Sequence, residues 1–299
     1  MSDSEEPTGT LDCSTSGTHL EAAHRQILDG LLTRGDQSPE REPGEVLEGE
    51  WEERAVAFAA NNWRDRMVHE HESAAVFTGL LPQLMEAEAA LDFKTVIVRS
   101  GLDELRHAGL CGQVVEYLGG EPTAEANLEI APVPQHTDCT PLEGVLRNVV
   151  FASCLSETVS MALLTSERER AEEPFVERVL RQLAGDESLH ARLGWVFLST
   201  CWQQTDGACA EAIADYLPVA FGAFEESMRS AMPTGHVPDD ILAEAVKLGC
   251  SSGRQGRSIL YETVDEVIIP QLEEIGLPAR QAWHDRTTGS SVAQAMIPL

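Results

Sequence analysis

Basic residues and aromatics are scarce in this chain. Only 21 of its 299 residues are Lys or Arg, against 50 Asp and Glu, and 5% are Phe, Trp or Tyr. Phosphate backbones are bound by clustered Lys and Arg, so a formal net charge of -29 argues against a nucleic-acid partner. The same charge disfavours an anionic membrane surface. No CxxC pair occurs among the seven cysteines. That odd number is unlike a disulfide framework and points to a reducing compartment. The opening MSDSEEPTGT lacks a basic stretch followed by an apolar one, and no later run reads as long and apolar enough to span a bilayer. The expectation is a cytoplasmic protein with no membrane segment.

The 42% hydrophobic content is enough for a sizeable core. Residues 1–48 are rich in Ser, Thr, Pro, Gly and acids and are expected to form a disordered acidic tail, with one short helix within THLEAAHRQILDGLL. From Trp51 onward apolar residues recur at helical spacing and no alternating strand pattern stands out, so the fold class is all-α. One helix is predicted from Trp51 to about Ala87, bent near Pro82. A second runs from an Asp92 cap to Gly119-Gly120. A third begins at Thr140-Pro141, and a fourth runs from Pro174 past Trp202. A Pro-containing crossover over 123–140 joins the two pairs, giving a four-helix bundle over 49–204. Residues 205–299 are expected to add helices that pack on the bundle.

Each bundle helix has an apolar stripe broken by a carboxylate. Trp63, Met67, Glu70, Ala74, Phe77 and Leu81 follow steps of three and four. So do Ile97, Ser100, Glu104, His107, Cys111, Val114 and Leu118. The third stripe is Leu146, Val150, Ser153, Glu157, Ser160 and Leu164, and the fourth is Val176, Leu180, Leu183, Glu187, His190 and Phe197. Four carboxylates facing one another in a core require compensating positive charge, and these stripes contain no Lys or Arg. Two divalent metal ions would supply it. Glu104 with His107 and Glu187 with His190 each form Glu-x-x-His, which puts a carboxylate oxygen and an imidazole nitrogen on one helix face. Glu70 lies 34 residues before Glu104 and Glu157 lies 30 before Glu187, a repeated helix-turn-helix interval. Glu72 lies about 200° around the helix from Glu70 and is the second choice for the ligand on the first helix. His19, His24, His136, His236 and His284 fall in tail or loop segments and read as surface residues.

Over about residues 51–202 this set resembles the ferritin-like di-iron carboxylate superfamily, and DELRH at 103–107 resembles the second motif of bacterial multicomponent monooxygenase hydroxylases. The resemblance implies a ferritin-like four-helix bundle with additional C-terminal helices. Its metal ligands would be Glu70, Glu104, His107, Glu157, Glu187 and His190. The cofactor would be two Fe ions, with Mn/Fe and di-Mn as variants. Metal-bound imidazoles usually donate their other N–H to a carboxylate, so Asp103 is expected to serve His190 and Asp186 to serve His107, as in similar proteins. Ser160, one turn after Glu157, matches a hydroxyl that many O2-activating relatives place at the open face of the site, and is the candidate catalytic residue.

The superfamily spans oxygenases, radical subunits and ferroxidases. Tyr117 is roughly three turns from His107, which suits a radical subunit poorly. The helices after residue 204 could wall a pocket or build a homodimer interface, which favours an oxygenase. Its partners would be O2, a small or carrier-bound organic substrate, and an electron donor such as a ferredoxin or reductase. The competing reading is a ferroxidase or iron-handling protein.

Overall fold

A computed structural model describes residues 8–13, 21–127, 131–203 and 205–286 of the chain. His19 and the first residues of the expected 18–32 helix lie outside them; the described part is α1 (Glu21–Asp29).

The bundle is formed by α2 (Glu53–Glu86), α3 (Leu91–Tyr117), a long third helix and α6 (Pro174–Trp202). The third helix is continuous over 141–170, made of α4 (Pro141–Val149), a π-helical segment (Val150–Glu157) and α5 (Thr158–Arg170). Thr140 Oγ1 accepts from the Glu143 amide at 3.3 Å and Pro141 occupies the first turn, the start expected from the sequence. At the end of α3 the Gly119 backbone is left-handed at φ 83°. There Gly120 N–H bonds to Val115 O and Gly119 N–H to Glu116 O, which satisfies the last carbonyls. The cap at the start of α3 differs from expectation. Ala90 occupies the cap position without a side-chain bond, and Asp92 sits inside the first turn. Pro82 lies within α2, which continues to Glu86.

α2 packs on α3, and the π segment and α5 pack on α6; α3 with α6 and α2 with α4 close the bundle. Short turns join the members of each pair, and residues 118–140 make the crossover. That crossover holds β2 (Thr123–Asn127), antiparallel to β1 (Thr8–Asp12) with Thr8 opposite Asn127 and Asp12 opposite Thr123. This small ribbon went unforeseen because TGTLD and TAEAN are five residues each and Leu11 is the one large apolar residue in the two.

After the bundle come α7 (Gly207–Ala231), α8 (Asp239–Lys247), α9 (Gly253–Thr263), a second π segment (Val264–Ile268), α10 (Ile269–Ile275) and α11 (Ala279–His284). α7 lies on α4, α8 on α2 and α5, and α9 on α5. Trp63 Nε1 donates to Leu248 O at 2.9 Å and pins the end of α8 to α2.

Two expectations are corrected by the fold. Much of the predicted disordered tail is ordered: Leu31 and Pro39 are buried, and residues 31–49 lie along the bundle as a strap. Its order comes from polar contacts with distant residues, which local composition does not encode. In addition, the helix over 141–170 is long and apolar enough, by length and composition, to cross a membrane. Its apolar stretch is instead more than half buried against the other helices, and Glu157 lies within it.

Candidate metal centre

The stripes read from the sequence converge in the middle of the bundle, between two apolar layers. Trp63, Met67, Leu110, Val114, Leu180 and Leu183 lie on one side, and Phe77, Leu80, Ile97, Leu146, Leu155 and Phe197 on the other. Helical steps of three and four from these anchors force the residues between them inward. Glu70, Glu104, His107, Glu157, Glu187 and His190 are all buried there.

The six residues form two overlapping clusters. One is Glu70, Glu104, His107 and Glu187, and the other is Glu104, Glu157, Glu187 and His190. Within each cluster one ligand atom per residue lies within 4.8 Å of all the others. Glu104 and Glu187 belong to both. Glu72, on the same helix as Glu70, is half-buried and belongs to neither. His190 Nδ1 is 2.9 Å from Glu104 and 3.0 Å from Glu187. His107 Nδ1 is 3.3 Å from Glu70, 3.5 Å from Glu187 and 3.7 Å from Glu104. The ring centroids of the histidines are 6.0 Å apart.

Both imidazoles therefore turn Nδ1 toward the carboxylates and Nε2 away. His107 Nε2 lies 3.3 Å from Asp186, and His190 Nε2 lies 3.6 Å from Asp103. Each aspartate thus lies beside the histidine of the other motif, across the bundle. The aspartates are held in turn: Arg99 Nε reaches both oxygens of Asp103 at 2.8 Å, and Arg34 Nε reaches Asp186 at 3.1 Å. Gln182 also donates to Asp186. None of these three supports was foreseen. Arg99 and Gln182 could have been found, since each precedes its aspartate by four residues on a helix. Arg34 carries no local signal at all.

Without a metal, protons do the compensating. Burial, partly offset by His107, pushes Glu70 up to about 8. Burial and then the neighbouring Glu187 and Glu104 carboxylates hold Glu157 well above the usual range. On Glu187 burial acts upward but is outweighed by the hydrogen bond with Glu157 and the charge of His190, and its carboxyl stays well below the usual range. Glu157 and Glu187 thus titrate as a pair, their shifts opposite in direction. Burial would lower both histidines; at His107 the bonds to Asp186, Glu104 and Glu187 outweigh it, and at His190 Glu187, Asp103 and Glu104 do. Both imidazoles are raised well above their ordinary range.

This donor set fits a pair of divalent cations. Four buried carboxylates and two imidazole Nδ1 atoms face one space, and the outward Nε2 atoms are aimed at carboxylates, which fixes the tautomer that leaves Nδ1 free to ligate. Glu104 Oε1 is buried and lies 2.9 Å from His190 Nδ1 without making a hydrogen bond, and His190 Nε2, 3.6 Å from Asp103, makes none either. A cation held by Glu104 and His190 would satisfy these buried groups. Carboxylate and imidazole donors suit Fe and Mn. The geometry shares Glu104 and Glu187 between the clusters and leaves Glu70 and Glu157 at the two ends.

Glu157 ends the π-helical segment, in which the Ser156 hydroxyl bonds back to Phe151 O at 3.0 Å. A π turn adds a residue per turn and shifts the phase of the helix beyond it. Ser160, past the segment, is half-buried.

No family model matches the chain, and no curated protein matches it. Among solved structures, a protein 19 with aldehyde deformylating oxidase activity from Synechococcus is similar, with 16% identity and a TM-score of 0.50 over 78% of this chain and 95% of that one. That likeness, together with the order of the helices along the chain, shows the fold: an all-α, ferritin-like helical bundle.

Proposed function

We propose that this chain is a di-iron oxygenase, a hydroxylase, monooxygenase or N-oxygenase, acting on a small or carrier-bound organic molecule. The observation that carries the reading is the pair of four-residue clusters sharing Glu104 and Glu187. The aldehyde deformylating oxidase activity of the structurally similar protein supports it and makes aldehydes the first substrates to assay. The reading divides the chain into an acidic N-terminal segment to residue 48, a metal-holding bundle over 49–204 and covering helices over 205–299.

Glu70, Glu104 and Glu187 with His107 would hold one ion, and Glu104, Glu157 and Glu187 with His190 the other. Bound, the pair of Fe ions would supply electrons to O2, and an external donor such as a ferredoxin or reductase would restore them. The protein supplies the remainder. Asp103 and Asp186 hold the imidazole rings in one tautomer. The apolar layers around Met67 and Phe77 keep bulk water from the centre. Glu70 and Glu157 are each 8% exposed and both histidines 0%, so substrate would approach from the side of α2 and the π segment. Ser160, on the helix that carries Glu157, would present its hydroxyl toward that approach. Mn in either position is the alternative metal content, and a homodimer is compatible with the reading.

O2 uptake by anaerobically Fe(II)-loaded protein tests the proposal. An oxygenase stops after its bound iron is oxidised and resumes only when a reductant is added, with an oxidised organic product when substrate is present. Continued oxidation of excess Fe(II) to ferric mineral would instead identify a ferroxidase.

A further inference from the structure

Asp103 and Asp186 occupy corresponding positions in the two motifs but are not supported alike. Arg99, four residues before Asp103 on the same helix, grips both of its oxygens. The corresponding position before Asp186 is Gln182, which brings no charge. The cation for Asp186 comes from the strap: Arg34, 152 residues away in sequence, places Nε 3.1 Å from an aspartate that is fully buried.

The strap is anchored to both motif helices at this point. The Arg34 amide donates to Gln182 Oε1 at 2.8 Å. The Leu32 carbonyl accepts from Gln182 Nε2 on α6 at 2.9 Å and from Arg106 Nη1 on α3 at 3.1 Å. Space for the arginine is made by Gly185, next to Asp186. A Cβ there would meet Arg34 Cγ at 2.7 Å, Cδ at 2.9 Å and Nε at 3.0 Å. Farther along, Arg178 Nη2 pairs with Glu45 at 2.9 Å and Tyr117 Oη donates to Val46 O at 3.1 Å, so the strap is held over its length.

We infer that Arg34 is a positioning residue for the His107 half of the metal centre: docked with its strap, it holds the Asp186 carboxylate that orients His107, whereas Asp103, which orients His190, is held by Arg99 from within the bundle helix α3. The inference rests on the metal-centre reading. Two halves with matching ligands then differ in support, and only one depends on a segment outside the bundle. Binding linkage runs both ways, so metal in the His107 half would also tighten the strap.

Mn(II) titration, followed by calorimetry and electron paramagnetic resonance, tests this in single-site backgrounds. In His190→Ala, which retains the His107 half, Arg34→Ala should weaken the remaining ion by about 10- to 100-fold, the usual cost of losing an outer support. In His107→Ala the same change should leave the remaining ion unaltered, and there Arg99→Ala should weaken it. A general loss of structure would not discriminate between the backgrounds. Equal weakening in both, or none in either, overturns the inference. Gly185→Ala displaces the arginine without removing it and favours the helix it sits in, so it makes the same comparison should Arg34→Ala fail to fold. Wild-type protein that takes up no Mn(II) would overturn the metal-centre reading itself, whereas wild-type protein that takes up two ions with the Arg34 pattern missing would overturn this inference alone.

Discussion

Glu104 lies closer to the histidine of the other motif than to its own: its carboxylate is 2.9 Å from His190 Nδ1 and 3.7 Å from His107 Nδ1. Glu187, by contrast, is closer to its own His190, at 3.0 Å, but also lies 3.5 Å from His107 of the other motif. The two Glu-x-x-His motifs are therefore interlocked through these carboxylates. Glu104→Ala or Glu187→Ala should cost the protein both ions, whereas Glu70→Ala or Glu157→Ala should cost mainly one. Metal content per chain after loading and desalting checks this. Loss of a single ion from each of the four variants would mean that no carboxylate is shared.

The histidines divide the centre. His107→Ala and His190→Ala should each remove one ion preferentially and abolish reaction with O2. Iron content and stopped-flow oxidation kinetics report both effects. A variant that kept full iron and wild-type kinetics would remove its histidine from the ligand set.

Helix phase separates Glu70 from Glu72. Glu70→Ala should weaken metal binding by about tenfold or more, since the loss of outer supports alone costs about 10- to 100-fold. Glu72→Ala, at a half-buried position outside both clusters, should leave the metal in place and change stability by about half a kcal/mol or less. Metal loss from Glu72→Ala with retention in Glu70→Ala would contradict the assigned face of α2.

Protons and metal compete for one set of groups, and this sets a pH dependence. Glu70 rises from 4.5 to about 8 in the metal-free fold, so the stability it contributes is complete below about pH 4.5 and lost as pH approaches 8. Glu157 and both histidines are also raised and act in the same sense, the histidines losing their contribution above 6.5. Glu187 and Asp186 are lowered, and their contribution is lost only in acid. The metal-free protein should therefore melt at lower temperature as pH rises from about 6 to 8, while bound metal gains as protons leave its ligands. Differential scanning calorimetry should show the gap between loaded and metal-free protein widening over that range. A constant or narrowing gap would contradict the proton-for-metal exchange.

The features legible in the sequence are those set by period and local chemistry. Trp63, Met67 and Phe77 fix the phase of α2, and a carboxylate between them has to face the core. The caps at Thr140 and Gly119 were readable for the same local reason. The π segment was not, because VFASCLSE satisfies a regular helix as well as a widened one. Nor was the strap, whose residues bond to Gln182, Arg106, Asp186 and Arg178 far along the chain. The division of labour among the carboxylates also required coordinates, since identical residue types at equivalent spacing become shared or terminal only through distances across the bundle.

The central claim is a paired metal centre, and Mössbauer spectroscopy of protein loaded anaerobically with 57Fe(II) tests it most directly. The account predicts two bound high-spin ferrous ions per chain, magnetically coupled through Glu104 and Glu187, and both oxidised on mixing with O2. A single uncoupled ion, or no iron retained in a protein that keeps one tightly bound zinc, would contradict it.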